Sequence, residues 1–293
     1  MNNTWTSYLT LMRPKQWAKN SLVFAPLFFG SKIFDPESVI SAVGAAAAFS
    51  LAASAVYIFN DLCDLDADRD HPTKKMRPLA AGEVGKTGAI ILSIVLLLLT
   101  SLIVFAMKLE FLFVFLLVIY VFFSFSYSLM LKKVELLELF VVASGYVIRL
   151  IAGGIVISVV LSPWILVVTG SAALLVVTGK RRAELSQNHD PKFNRAALSG
   201  YSVDFLDSVI VLLGSATFVS YLLFTASEYA LVRFHSDILV ATAVPVGFAL
   251  LRYIQLIKTD KGAESPTDLI LSDRGILIAF TIWLILFSFV LYV

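Results

Sequence analysis

Apolar runs long enough to cross a bilayer recur along this chain, with polar connections between them. Stretches without one charged residue cover 38–60, 87–107, 111–131, 150–179, 208–227 and 275–293. Shorter apolar stretches lie at 21–31, 139–148 and 238–251. A spanning helix needs about 20 mostly apolar residues. The 150–179 run is interrupted at Ser158–Pro163, where proline favours a turn, so it joins two spans. The pattern predicts nine spans, at 16–33, 38–60, 85–107, 110–131, 136–157, 163–185, 203–228, 236–257 and 273–292. The first carries Lys19 inside it and is interrupted by Pro26.

Composition agrees. Of 293 residues, 59% are hydrophobic and only 15% charged, with a mean hydropathy of +0.87. A soluble domain is about half apolar and a quarter charged. A water-soluble enzyme, a disordered chain and a disulfide-rich module are therefore excluded. The single Cys63 rules out a disulfide framework and a thiolate cluster. His71, His189 and His235 are too scattered for a zinc site.

The charges orient the chain. With the N-terminus inside, 19 of the 23 Lys and Arg residues fall in inner segments and Lys32, Lys108 and Arg233 in outer loops, while Arg149 lies within a span. Basic residues mark the cytosolic side. The longest connections, 61–84, 180–202 and 258–272, face the same side, so the working face is expected to be cytosolic. The expected architecture is all-α: one integral membrane domain over 1–293, multi-pass in a bacterial inner membrane, its site capped by those loops.

The most informative stretch runs from Asn60 to Pro72. Asn60, Asp64 and Asp68 are spaced i, i+4, i+8, and Asp61 precedes Asp64 by three. On one continuous helix all four share a face. Carboxylates at that spacing repel, and a divalent cation removes the repulsion. Mg²⁺ is commonly held by one or two carboxylates plus substrate phosphates and water. The stretch reads as a Mg²⁺–diphosphate site at the membrane surface. An EF-hand reading fails, because Arg69 stands at the sixth position and Lys75 at the twelfth. Lys74, Lys75 and Arg77 follow within ten residues and suit a second phosphate, although Lys75 equally suits a membrane anchor.

These residues resemble the UbiA-type superfamily of intramembrane prenyltransferases. Its N-D-x-x-D-x-x-x-D signature corresponds to Asn60, Asp61, Asp64 and Asp68 at the end of the second span. The resemblance implies a bundle of about nine helices around a central cavity. The superfamily's second motif, D-x-x-x-D, is replaced by Lys180-Arg181-Arg182-Ala183-Glu184. That departure, the Arg13-Pro14-Lys15 to Asn20 opening, the His71-Pro72 to Arg77-Pro78 segment and the Ser265 to Arg274 segment look like the decaprenyl-phosphate phosphoribosyltransferase branch.

The branch implies transfer of 5-phosphoribose from 5-phosphoribosyl diphosphate to a polyprenyl phosphate, with release of diphosphate. By that likeness Asp61, Asp64 and Asp68 hold Mg²⁺ and the diphosphate, and Asn60 orients a carboxylate or the ribose. Lys74, Arg77, Lys180 and Arg181 are the candidates for the 5-phosphate. Lys15 and Lys19 face the acceptor phosphate, with Arg13 and Lys133 read as anchors. Arg149 is expected to pair with Glu138 or a cavity group, Tyr127 to line the cavity, and Glu184 to brace Lys180 and Arg181. The nucleophile, a phosphate monoester, is already ionised at neutral pH and needs no general base. A prenyltransferase using a prenyl diphosphate donor stays open, and a transporter with an acidic gate is a distant third. No nucleic-acid partner is expected, and no oligomeric state is assigned.

Overall fold

A computed structural model describes residues 4–187, 196–234, 237–259 and 266–292, and these contain helices but no strand. Ser265, His189 and His235 lie outside the described residues, as does part of the 180–202 and 258–272 loops. The chain divides into two compact units, Met1–Val141 with Gly145–Leu161, and Val142–Ser144 with Ser162–Val293. Each is described by itself.

The first unit begins with α1 (Thr4–Leu11), a 3₁₀ segment (Pro14–Phe24) and α2 (Ala25–Phe29). The long helix α3 (Pro36–Cys63) follows, then the short α4 (Leu65–Asp70), α5 (Lys86–Ala106), α6 (Phe111–Leu129) and α7 (Leu137–Val156). α3 starts where Asp35 caps it by accepting the Ser38 N–H, with Pro36 in the first turn, a position that needs no N–H partner. It is rich in small residues: Ala42, Gly44, Ala45, Ala48, Ala52, Ala53 and Ala55 are all buried. Small side chains let neighbouring backbones approach closely inside a membrane. α5, α6 and the 3₁₀ segment all pack on α3, around Val23, Phe49, Phe113, Leu117 and Ile148.

The first expected span differs from a regular helix. Pro14 opens the 3₁₀ segment and Pro26 sits in the first turn of α2. Eleven residues run as 3₁₀ before five close as α-helix, and the joint is an Ala25 N–H donated to Leu22. A 3₁₀ helix rises about 2.0 Å per residue, so the two pieces together reach about 30 Å, the thickness of the hydrocarbon core. The stretch is not among the eight described segments that are long and apolar enough to cross a membrane. It also leans on α7 so closely that a Cβ on Gly153 would lie 2.2 Å from the Val23 carbonyl oxygen.

The second unit holds α8 (Pro163–Gln187), α9 (Val203–Thr225), α10 (Glu228–Phe234), α11 (Ala243–Lys258), α12 (Pro266–Ser272) and α13 (Arg274–Tyr292). α8 packs along α9, and α11 lies against α9 and α13. Their shared core includes Leu175, Ile210, Tyr253, Ile257 and Ile276. The expected span 236–257 is divided. Asp237–Thr242 is 3₁₀ and the α-helix starts at Ala243, since Pro245 is tolerated only in a first turn. Within the unit, Trp283 donates its indole N–H to the Tyr221 hydroxyl at 2.7 Å, which also bonds Thr242. Eight of the described segments are long and apolar enough to cross a membrane. The protein is a multi-span membrane protein.

Candidate active site

The acidic motif sits where α3 stops. Asp61 belongs to the last turn of α3, Asp64 separates the helices, and Asp68 lies in α4. The sequence expectation of one continuous face is corrected here. The chain bends at Asp64 (φ −96°, ψ 5°), and this redirects α4. The three carboxylates take different partners. Asp61 and Asp68, both 3% exposed, share one nitrogen of Arg77, Nη1, at 3.1 and 2.5 Å. Asp61 also accepts from Arg13. Asp64 instead takes a salt bridge from Lys132 and accepts from the Asn60 amide at 3.1 Å.

Local structure explains how Arg77 arrives there. The loop after α4 turns through a short 3₁₀ segment, Lys74–Met76, and Arg77 closes it with its N–H on the Lys74 carbonyl. Leu79 and Val84 then anchor the loop in a core with Ile58, Leu65 and Leu11. His71 Nδ1 accepts the backbone N–H groups of Thr73 and Lys74, each at 3.3 Å. Burial, and then the charge of Lys74, holds the His71 imidazole below its usual pKa. That favours the neutral ring this acceptor role needs.

Arg13 was read from sequence as an anchor. The structure makes it a partner of Asp61, in a left-handed backbone conformation (φ 54°) and 5.4 Å over the Tyr57 ring. Non-glycine residues held there carry strain, which concentrates at functional sites. Lys15 is exposed, and Lys19 is half-buried with no ion pair among the described residues. Trp17 and Asn20 fasten the same segment to α3 through Ser54 and Ser50.

Arg149 does not pair with Glu138. The two lie eleven positions apart on α7, about 16 Å along the axis. Arg149 is buried and donates to Asn20 Oδ1 (2.6 Å), the Gly145 carbonyl (2.6 Å) and the Tyr120 hydroxyl (2.9 Å). Its guanidinium also faces the Tyr120 and Phe49 rings, at 4.6 and 5.8 Å. Neutral acceptors and ring faces thus take the place of a carboxylate. Glu138 is fully buried and lies 3.5 Å from the Tyr127 hydroxyl.

In the second unit, Lys180 is exposed while Arg181 is buried and donates to Glu184 at 2.7 Å, the helical brace expected of that glutamate. Arg182 has a structural role that sequence reading missed. It pairs with Asp207 at 3.1 Å and donates to the Ile257 and Lys258 carbonyls, capping α11 from α8. Asp273 caps α13 through the Ile276 N–H and binds Arg252 at 2.9 Å.

The donor set of the first unit suits a hard divalent cation. It offers carboxylate and amide oxygens, with two carboxylates brought to one point, as Mg²⁺ prefers when phosphates and water complete its shell. Among the described residues, no three His, Cys, Asp or Glu side chains stand together so that they could hold a metal ion by themselves.

The UbiA prenyltransferase family matches residues 21–285. The chain belongs to this family. Within it, decaprenyl-phosphate phosphoribosyltransferase of Mycobacterium tuberculosis is 36% identical over 293 residues, covering 93% of this chain and 90% of that protein. The enzyme of the same name from Mycolicibacterium smegmatis is 34% identical over 295 residues, covering 96% and 91%. A UbiA homologue from Archaeoglobus fulgidus, solved bound to DMAPP and Mg²⁺, matches with a TM-score of 0.73 at 19% identity, over 98% of this chain and 99% of that one. At that identity the likeness establishes the UbiA fold.

Proposed function

We propose that this protein transfers 5-phosphoribose from 5-phosphoribosyl diphosphate to a polyprenyl phosphate in a bacterial inner membrane, releasing diphosphate. The observation that carries this is the 36% identity over nearly the whole chain to an enzyme named for that transfer. The Lys180–Glu184 motif, standing where a second aspartate motif is usual in the family, points the same way.

In this reading the C1–oxygen bond of the donor breaks and the diphosphate leaves with the electron pair. An oxygen of the lipid phosphate forms the new bond to C1. Asp61, Asp64 and Asp68 would hold Mg²⁺, which when bound would neutralise charge on the leaving diphosphate. Asn60 keeps Asp64 oriented. Arg77 and Lys74 bind phosphate oxygens, and Lys180 and Arg181 are the phosphate-binding candidates of the second unit. Lys15 and Lys19 attract the acceptor phosphate, and Tyr127 lines the lipid path. Glu184 holds Arg181 in place, and Arg149 fixes the segment that carries Lys19. No general base is needed, so the work is positioning and electrostatics. The N-terminus and the loop after α4 face the cytosol, and the site lies within a single integral membrane domain.

The test is an assay of detergent-solubilised protein with labelled phosphoribosyl diphosphate, Mg²⁺ and polyprenyl phosphate. Labelled lipid is expected from the wild type and not from Asp64→Ala. Absence of labelled lipid, or an unchanged Asp64→Ala enzyme, contradicts the proposal. Parallel reactions with a prenyl diphosphate and an aromatic acceptor test the prenyl-transfer alternative.

A further inference from the structure

Three carboxylates and three cations meet at the end of α3. Among the described residues, the cations that contact Asp61, Asp64 and Asp68 are Arg13, Arg77 and Lys132. Asp66 pairs separately with Arg69 on the exposed side. The formal charges of the six groups cancel. Arg77 places one nitrogen between the two buried carboxylates, so their mutual repulsion is already relieved. A lone divalent cation entering this set would leave two uncompensated positive charges in a half-buried place, where charge is poorly screened. A cation that arrives with diphosphate brings its own negative charge. The carboxylates then pass to the metal, and the released guanidinium and ammonium groups meet phosphate oxygens, which arginine binds through paired donors.

We infer that Arg13, Arg77 and Lys132 are built-in counter-cations that keep free divalent metal out of the Asp61–Asp64–Asp68 cluster until it comes with a diphosphate, and then turn to that diphosphate. The inference rests on the reading that a diphosphate donor binds at this cluster, but not on the organic group it carries. It gives Arg13 and Lys132, which sequence reading left as membrane anchors or unassigned, a share in donor binding. It also makes metal and diphosphate binding mutually dependent, since linkage between two ligands is reciprocal.

The experiment measures Mn²⁺ retained by the full-length protein in equilibrium dialysis, with and without inorganic diphosphate. Wild type is expected to hold Mn²⁺ about tenfold more tightly, or better, when diphosphate is present. Arg77→Gln, which leaves Asp61 and Asp68 without their shared cation, is expected to bind Mn²⁺ alone about tenfold more tightly than wild type. Lys132→Gln shifts the same way through Asp64, and Mn²⁺ alone should raise the unfolding temperature of both variants more than that of wild type. Wild type binding Mn²⁺ equally well without diphosphate overturns the inference, as do folded variants whose metal affinity is unchanged. If Arg77→Gln does not fold, the wild-type comparison and Lys132→Gln decide. Metal–diphosphate coupling without phosphoribosyl transfer removes the proposed function and leaves this inference standing; transfer without coupling does the reverse.

Discussion

Arg149 donates its Nε–H to Asn20 across 129 positions of sequence, at 2.6 Å, and so ties α7 to the 3₁₀ segment that carries Lys15 and Lys19. Lysine cannot reach Asn20, Gly145 and Tyr120 at once, because it lacks the planar fork. Arg149→Lys should therefore cost about 1.5–3 kcal/mol for its lost charged hydrogen bonds. Thermal unfolding in detergent measures this as a lowered midpoint, and an unchanged midpoint contradicts the assigned contacts.

The same junction has a steric limit. A methyl on Gly153 would meet the Val23 backbone oxygen at 2.2 Å, and backbone cannot step aside as a flexible side chain can. Gly153→Ala should destabilise by about 1–3 kcal/mol. It should also raise KM for the lipid acceptor by moving Lys19. Substrate titration of the variant against wild type, alongside its unfolding curve, checks both.

Most of the fold is legible in the sequence, and the exceptions have physical causes. α3, α5, α6, α7, α8, α9 and α13 fall within a few residues of the spans expected from the sequence, because twenty apolar residues have no other stable place in a bilayer. Hydropathy does not report which backbone ladder a segment uses, so the 3₁₀ path imposed around Pro14 and Pro26 stayed hidden. The i, i+4 spacing of Asn60, Asp64 and Asp68 located the acidic site, but a bend at Asp64 is invisible in spacing alone. Arg13 looks like an anchor because any basic residue at a cytosolic helix end does, and Lys132 carries no signal beyond its place among the inner basic residues. Their partners lie 48 and 68 positions away. Arg149 was found as the charge inside a span, yet its neutral acceptors were not, since any carboxylate near α7 is an equally good guess from sequence.

Arg77 is the most exacting residue of the cluster. Arg77→Met leaves two buried aspartates without their shared donor and removes a phosphate ligand in the proposed reaction. kcat should fall about 10²–10³-fold, the usual effect of losing one preorganised charge-stabilising donor. Arg77→Lys should recover only part of this, since one ammonium replaces a fork. Steady-state kinetics of the two variants tests the order wild type, Lys, Met.

Acid should loosen the second unit through Asp273. Its carboxyl is held below the ordinary range first by its hydrogen bond from Arg252, then by the Ile276 and Gly275 N–H groups and the Arg252 charge. A depressed folded pKa means the cap contributes stability above the unfolded value of about 3.9 and loses it as pH falls through the lower folded value. The unfolding temperature of wild type should therefore decline below about pH 4 more steeply than that of Asp273→Asn. Parallel slopes for the two proteins contradict the assignment.

The central claim is a phosphoribosyl group moving onto a lipid phosphate. Mass spectrometry of the lipid formed by purified protein from 5-phosphoribosyl diphosphate, Mg²⁺ and decaprenyl phosphate tests it most directly, with released diphosphate counted in the same reaction. The expected result is a lipid heavier by one phosphoribosyl group, formed in equal amount to diphosphate and absent with Asp61→Asn. Unmodified lipid beside consumed donor, or an isoprenoid chain transferred from a prenyl diphosphate in its place, contradicts the account.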